Sequence, residues 1–228
     1  MQRRMFAIAA SGLVASLAAG CSARPSLADT ASAADPASDA PEPGRTTMAL
    51  ADAPASYAEA LQRWRSPAEV NAFIGARFEY DLQRAMQLSE TQRSRSGRMP
   101  IHEPAAFFAQ PRGVCVDLSR FAVETLRAVD PASRPVYVMI EFNPVAIRGN
   151  TLRRHWVASF QRDGQTWFFA DSKRPGHIAG PYADTQTFMT EYAKYRRREI
   201  VAFKEMDGYE RKLRSASARK EREAETVP

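Results

Sequence analysis

Histidine and cysteine are the scarce residues of this chain: three of the first and two of the second in 228 positions. That scarcity excludes whole classes of architecture. Two cysteines cannot build a disulfide-stapled scaffold. The histidines and cysteines are also too few and too widely spaced for a structural zinc motif. There is no phosphate loop and no dinucleotide fingerprint, so nothing in the sequence calls for a metal or an organic cofactor. The longest apolar run, MFAIAASGLVASLAA at 5–19, falls short of the about 20 residues that a membrane-spanning helix needs. No internal repeat is present. What the chain does have is 44% hydrophobic residues, enough for a real core, and a net charge of +6.

The first 21 residues read as an export leader. Arg3 and Arg4 precede the short apolar run, and small residues lead to Gly20–Cys21; this is the layout of a signal peptide. LAAGC resembles the lipobox of bacterial lipoproteins, which implies that Cys21 is lipidated and becomes the mature N-terminus. The alternative is an ordinary cleaved leader with an incidental cysteine. RRMF also fits part of a twin-arginine signal. Loss of the leader removes two arginines and no acid, leaving 30 basic against 26 acidic residues. In an exported protein this mild excess makes nucleic acid an improbable partner and leaves a lipid surface or an envelope polymer as candidates. Ser22 rather than aspartate follows the cysteine, and the sorting rules then imply the periplasmic face of the outer membrane in a Gram-negative cell.

Residues 22–55 are mostly Ala, Ser, Pro, Asp and Thr. Such a composition cannot bury enough surface to offset ordering entropy, and the expectation is a disordered tether. The folded domain is expected over 56–205 and a charged tail over 206–228. Ser66–Pro67–Ala68–Glu69 reads as a capping box with proline at the first helical position. A further helix is expected over about 81–92, and a long loop over 93–113. From Cys115 to Val129, Leu118, Phe121, Ala122 and Leu126 fall on one helical face. VYVMIEF at 136–142 has strand character. HWVASF at 155–160 and TWFFAD at 166–171 flank Asp163–Gly164, a hairpin signal. A helix at about 184–197 and a strand at 199–205 follow. Helices leading into an antiparallel sheet make an α+β domain.

GVCVDLSRF, 113–121, holds the only cysteine of the mature chain apart from Cys21. A thiol at a helix start faces free backbone N–H groups and the positive end of the dipole, which favour the nucleophilic thiolate. It needs a base, and the base needs an orienting group. His102 and His177 fall in loops, whereas His155 lies on a strand whose hairpin partner ends at Asp171. A three-residue loop, 162–164, sets His155 directly opposite Asp171. A two-residue loop sets it opposite Ser172 and turns Asp171 to the other face. The pattern leaves both registers open. A disulfide between Cys21 and Cys115 is a competing use of the two cysteines, at odds with lipidation of Cys21.

GVCVDLSRFAVETLR, RHWVASF and TWFFADS together resemble the three core motifs of the transglutaminase-like superfamily, within the papain-like fold. The resemblance covers roughly residues 105–175. It implies Cys115 as nucleophile, His155 as base and Asp171 as orienter, acting on a peptide or protein amide through a thioester, with no cofactor. Asp117 matches the acidic position after the cysteine. Two positions depart from the family pattern: Trp156 follows His155 directly, and Ser172 rather than proline follows Asp171. Gln110 is a candidate second oxyanion donor beside the Cys115 backbone N–H, as a glutamine is in papain-like proteases. Two other readings remain. A peptidoglycan-peptide hydrolase of the NlpC/P60 type would use a similar triad but a different cysteine motif, which Val114–Cys115–Val116 does not match. A scaffold lipoprotein with a vestigial triad would use none of this chemistry.

Overall fold

The computed structural model describes residues 38–42, 50, 52–92 and 99–209. The leader, Cys21, much of 22–55 and everything beyond 209 lie outside the described residues.

Two short helices open the domain, α1 (Tyr57–Arg63) and α2 (Pro67–Arg77). At the start of α2 the expected capping box does not form. Glu69 reaches back to the Arg65 N–H and the Ser66 hydroxyl, while Ser66 makes no cap bond to the backbone. A two-residue strand, β1 (Glu79–Tyr80), precedes α3 (Leu82–Gln87), which Asp81 caps by accepting from the Arg84 N–H. The expected loop at 93–113 contains structure instead. Pro104 starts a short helix, α4 (Pro104–Ala109), and Arg112–Gly113 forms β2, paired in parallel with β1. Proline at a first helical position is favourable, so the Pro-rich composition there was a helix start rather than a breaker.

The long helix α5 (Cys115–Val129) begins and ends where the apolar periodicity places it. After a 3₁₀ turn come β3 (Val136–Ile147), β4 (Asn150–Arg162), β5 (Gln165–Phe169), β6 (Ala179–Tyr182), α6 (Thr185–Arg196) and β7 (Ile200–Met206). The sheet order is β6-β5-β4-β3-β7, antiparallel throughout. β3 runs past the expected end at 142 because a register shift between Glu141 and Val145 lets pairing with β4 resume.

Side chains alternate across this sheet and feed two cores. Tyr137, Trp156, Ala158, Phe160 and Phe169 face Leu118, Phe121, Ala122 and Leu126 of α5, with Trp64 and Phe73 of the first helices behind them. Val138, Ile140, Phe142, Val157 and Phe168 face Phe188, Met189 and Tyr192 of α6. The sheet is thus covered on both faces. Each fully buried large apolar side chain contributes about 1.5–3 kcal/mol, which fixes the register of β4 and β5 against both helices. No helix among the described residues is long and apolar enough to cross a membrane.

One part of the expected tether is ordered on the domain. Ser38, Asp39 and Ala40 are buried, and the Glu42 N–H donates to the Lys173 carbonyl. Composition misled here because these residues are held by polar contacts, which hydrophobicity does not register.

Candidate active site

Cys115 is the first residue of α5 and a free, buried thiol. Asp117 fixes the turn that presents it. Its carboxylate accepts from the Val114 N–H at 3.0 Å, from the His102 N–H at 2.9 Å, and from two nitrogens of Arg84 at 2.8 Å each. Gly113 is required beside it: a Cβ at 113 would lie 2.9 Å from both the Cβ and Oδ2 of Asp117.

His155 sits on β4 with no exposed surface and stacks on Tyr192 of α6. Its Nε2 is 3.0 Å from Asp171 Oδ1. The hairpin adopts the two-residue loop: Arg162 pairs with Gln165, and Asp163 and Gly164 both take positive φ, the geometry of a type I′ turn. That register, continued, would place Ser172 opposite His155 and Asp171 on the wrong face. It is not continued. β5 ends at Phe169, and Ala170 adopts a φ of 57°, which turns the chain and brings Asp171 back to the histidine. The second carboxylate oxygen of Asp171 accepts from the Tyr192 hydroxyl at 2.9 Å, and that hydroxyl accepts from Arg196 at 3.0 Å.

A third acid completes the cluster. Asp39 Oδ1 lies 3.1 Å from His155 Nδ1 and 2.7 Å from Arg196. The contact to Nδ1 is a charge contact rather than an aligned hydrogen bond, since Nδ1 has no hydrogen-bond partner. The Cys115 sulfur, a His155 ring nitrogen and an Asp39 oxygen all lie within 4.8 Å of one another.

Burial alone would raise the carboxyls of Asp39 and Asp171. The positive charges of His155 and Arg196 outweigh it and hold both well below the usual range. Burial alone would lower His155, but its neighbours Tyr192, Asp39 and Asp171 push it well above the ordinary 6.5. Tyr192 is itself pushed up to about 12 by burial and stays neutral, so the two carboxylates are what stabilise the imidazolium. Cys115 is pushed up by burial and by Asp39, against the pull of His155. The thiol is therefore not lowered as its helix-start position implies. A helix terminus offers about 0.3–1 kcal/mol, less than the cost of enclosing a thiolate beside a carboxylate.

Asp39, Cys115 and His155 also assemble a mixed oxygen, sulfur and nitrogen donor set, which the spacing of the histidines and cysteines does not reveal. It fits a cation poorly. The Asp39 oxygen nearest His155 is already held by the Arg196 guanidinium, and a positive group at that place opposes a second one.

Beside Cys115 opens a cavity of about 450 Å³. Ala85, Leu88, Val116, Leu152 and Trp156 give it apolar walls, and Arg120 and Arg154 reach its rim. Gln110 does not line it; the residue is exposed at the C-terminal end of α4. Cys115, His155 and Asp171 are brought together, His102 contributes a backbone N–H to Asp117, and His177 lies in the loop before β6.

Sequence reasoning missed Asp39, Tyr192 as a polar group, and Arg196. The last two stand at i and i+4 on one face of α6, a signal that was readable. Asp39 had none. No protein-family model matches the chain, and no curated protein matches it in sequence.

Proposed function

We propose that the protein is a cysteine-dependent acyl-transfer enzyme in which Cys115 is the nucleophile, His155 the base and Asp171 its orienting group. What carries this reading is one line of contacts. The thiol lies within 4.8 Å of a His155 ring nitrogen, and His155 Nε2 is 3.0 Å from Asp171. A helix-start thiol against an antiparallel sheet, with the histidine on a strand and the acid just past the end of its hairpin partner, agrees with a transglutaminase-like core of the papain-like kind.

In this mechanism His155 in its neutral form takes the thiol proton as Cys115 attacks an amide carbonyl. The carbonyl oxygen becomes an oxyanion, and the Cys115 backbone N–H, without a partner in its own helix at that end, is placed to donate to it. Collapse breaks the C–N bond. His155 returns the proton to the leaving amine, and a thioester remains on Cys115. Water then attacks, with His155 as base, and releases the acid. Asp171 keeps Nε2 protonated and stabilises the imidazolium in both halves. Water as acceptor makes a peptidase or amidase; an amine would make a transglutaminase. Many bacterial members of the superfamily that the motifs resemble are hydrolases, which favours water. The apolar cavity beside the thiol suits a peptide side chain next to the reacting carbonyl. The leader and Gly20–Cys21 support an address in the cell envelope, with a lipid anchor at Cys21.

The test is acylation of Cys115 by p-nitrophenyl acetate, read as nitrophenolate release and as an acetyl group on the Cys115 peptide by mass spectrometry. His155→Ala should slow it about 100-fold or more, Asp171→Asn less, and the double substitution no more than His155→Ala alone. An unchanged rate in His155→Ala would remove the base and the proposal with it.

A further inference from the structure

One buried acid at the site has no role in that mechanism. Its carboxylate, that of Asp39, lies within 4.8 Å of both the Cys115 sulfur and a His155 nitrogen. It arrives on a segment far from α5 in sequence, and it is not incidentally placed. The Ser172 hydroxyl donates to the Asp39 carbonyl at 2.8 Å, and the Glu42 N–H donates to the Lys173 carbonyl at 3.2 Å. The Tyr195 hydroxyl donates to Glu42 at 2.7 Å. Arg196 donates to the Ser38 carbonyl at 3.3 Å and to the Asp39 carboxylate at 2.7 Å. Asp39 also lines the cavity that opens on the thiol.

We propose that Ser38–Glu42 is a built-in plug that restrains the reactivity of the Cys115 site, and that withdrawal of Asp39 raises it. The inference rests on the acyl-transfer reading of the same site.

The physical argument concerns one cation and two candidate anions. In a cysteine–histidine pair the reactive form is a thiolate beside an imidazolium. Here a carboxylate already lies against Nδ1. A carboxylate ionises far more readily than a thiol, so it holds the place of counter-ion and a second negative charge beside it is disfavoured. Cys115 then stays a neutral thiol, in agreement with the upward push that Asp39 exerts on it. The other ionisable groups facing the cluster are Tyr80 of β1, Tyr192 and Arg196 of α6, and Asp171, Lys173 and Arg174 after β5. Of these, Asp171 is engaged on Nε2, so only Asp39 competes with the thiolate on the other side of the ring.

The plug is built to be removable. Ser38–Glu42 reads Ser-Asp-Ala-Pro-Glu, with no large apolar side chain. What holds it is a set of hydrogen bonds, each worth about 1–3 kcal/mol, and the charge contacts of Asp39 with Arg196 and His155. A competing peptide that replaces the backbone contacts at Ser172 and Lys173, or cleavage near the segment, would free the cleft. The Arg196 guanidinium that Asp39 neutralises would then take the carboxylate of an acidic peptide in its place.

The test compares full-length chains, each with its melting temperature recorded. Asp39→Asn keeps the shape and removes the charge. Ser172→Ala/Tyr195→Phe loosens the segment and leaves the Asp39–Arg196 pair intact, so the idea stays testable should Asp39→Asn fold poorly. Both are assayed at pH 6.5 by iodoacetamide alkylation and p-nitrophenyl acetate acylation of Cys115. Asp39→Asn should react about tenfold faster or more than wild type, the double variant about threefold faster, and His155→Ala added to either should abolish the gain. Rates equal to or below wild type in both variants overturn the plug. If wild type is then already fast and His155-dependent, the acyl-transfer reading stands without it. If no variant depends on His155, both fail together.

Discussion

His155 Nε2 and Asp171 Oδ1 lie 3.0 Å apart because the chain leaves the β-sheet at Ala170. Strand pairing ends at Phe169, and a residue with a side chain takes a left-handed φ of 57° in a fully buried position. Such a conformation costs about 1–3 kcal/mol. It persists because Tyr192, His155 and the Lys173 N–H all donate to or contact the Asp171 carboxylate that it delivers.

Ala170 is therefore the residue to perturb. Ala170→Gly should fold with stability within about 1 kcal/mol of wild type, since glycine takes positive φ freely. Ala170→Val should lose more than about 2 kcal/mol, because a β-branched residue suits neither that φ nor the full core around it. Urea unfolding of the two variants checks this; equal stabilities would show that the turn at 170 does not depend on its backbone conformation.

Asp117 and Gly113 form the second perturbable unit. Asp117→Ala leaves Arg84 without its buried partner and the Val114 and His102 N–H groups without an acceptor. Breaking such a pair costs about 3–5 kcal/mol. Gly113→Ala should lose stability as well, because its new Cβ meets Asp117 at 2.9 Å. The denaturation midpoint measures both, and a change under about 1 kcal/mol in Asp117→Ala would mean that the start of α5 is held by other contacts.

Stability should depend on pH in two directions. Asp39 and Asp171 are held below their ordinary 3.8, so their contribution is complete above about that pH and is lost on acidification through their native values. His155 is raised above 6.5. Its contribution is complete below that pH and declines as pH rises towards its native value. The melting temperature should peak between about pH 4 and 6.5 and fall on both sides as far as these three groups govern it. In His155→Gln the decline above pH 6.5 should flatten relative to wild type; an identical alkaline slope would show that His155 is not protonated in the folded protein.

The export reading is checked in cells. A fatty-acid analogue supplied during growth should label the full-length chain and fail to label Cys21→Ser. An unlabelled wild type would overturn lipidation at Cys21.

The sequence alone determined the α+β class and the boundaries of α5, and it nominated Cys115, His155 and Asp171. These are local properties: apolar spacing of 3.6 in 115–129, β-branched and aromatic runs around Asp163–Gly164, and a thiol at a helix start. Tertiary structure decided the rest. The hairpin took the two-residue register that pattern reasoning set against the triad, and a non-glycine left-handed turn at Ala170 restored it, which no propensity signals. The environment of the thiol depends on a carboxylate from residues 38–42, and composition assigns that stretch to a tether. Burial and a charge from a distant segment outweigh the helix-start effect because desolvating a thiolate costs more than a helix terminus returns.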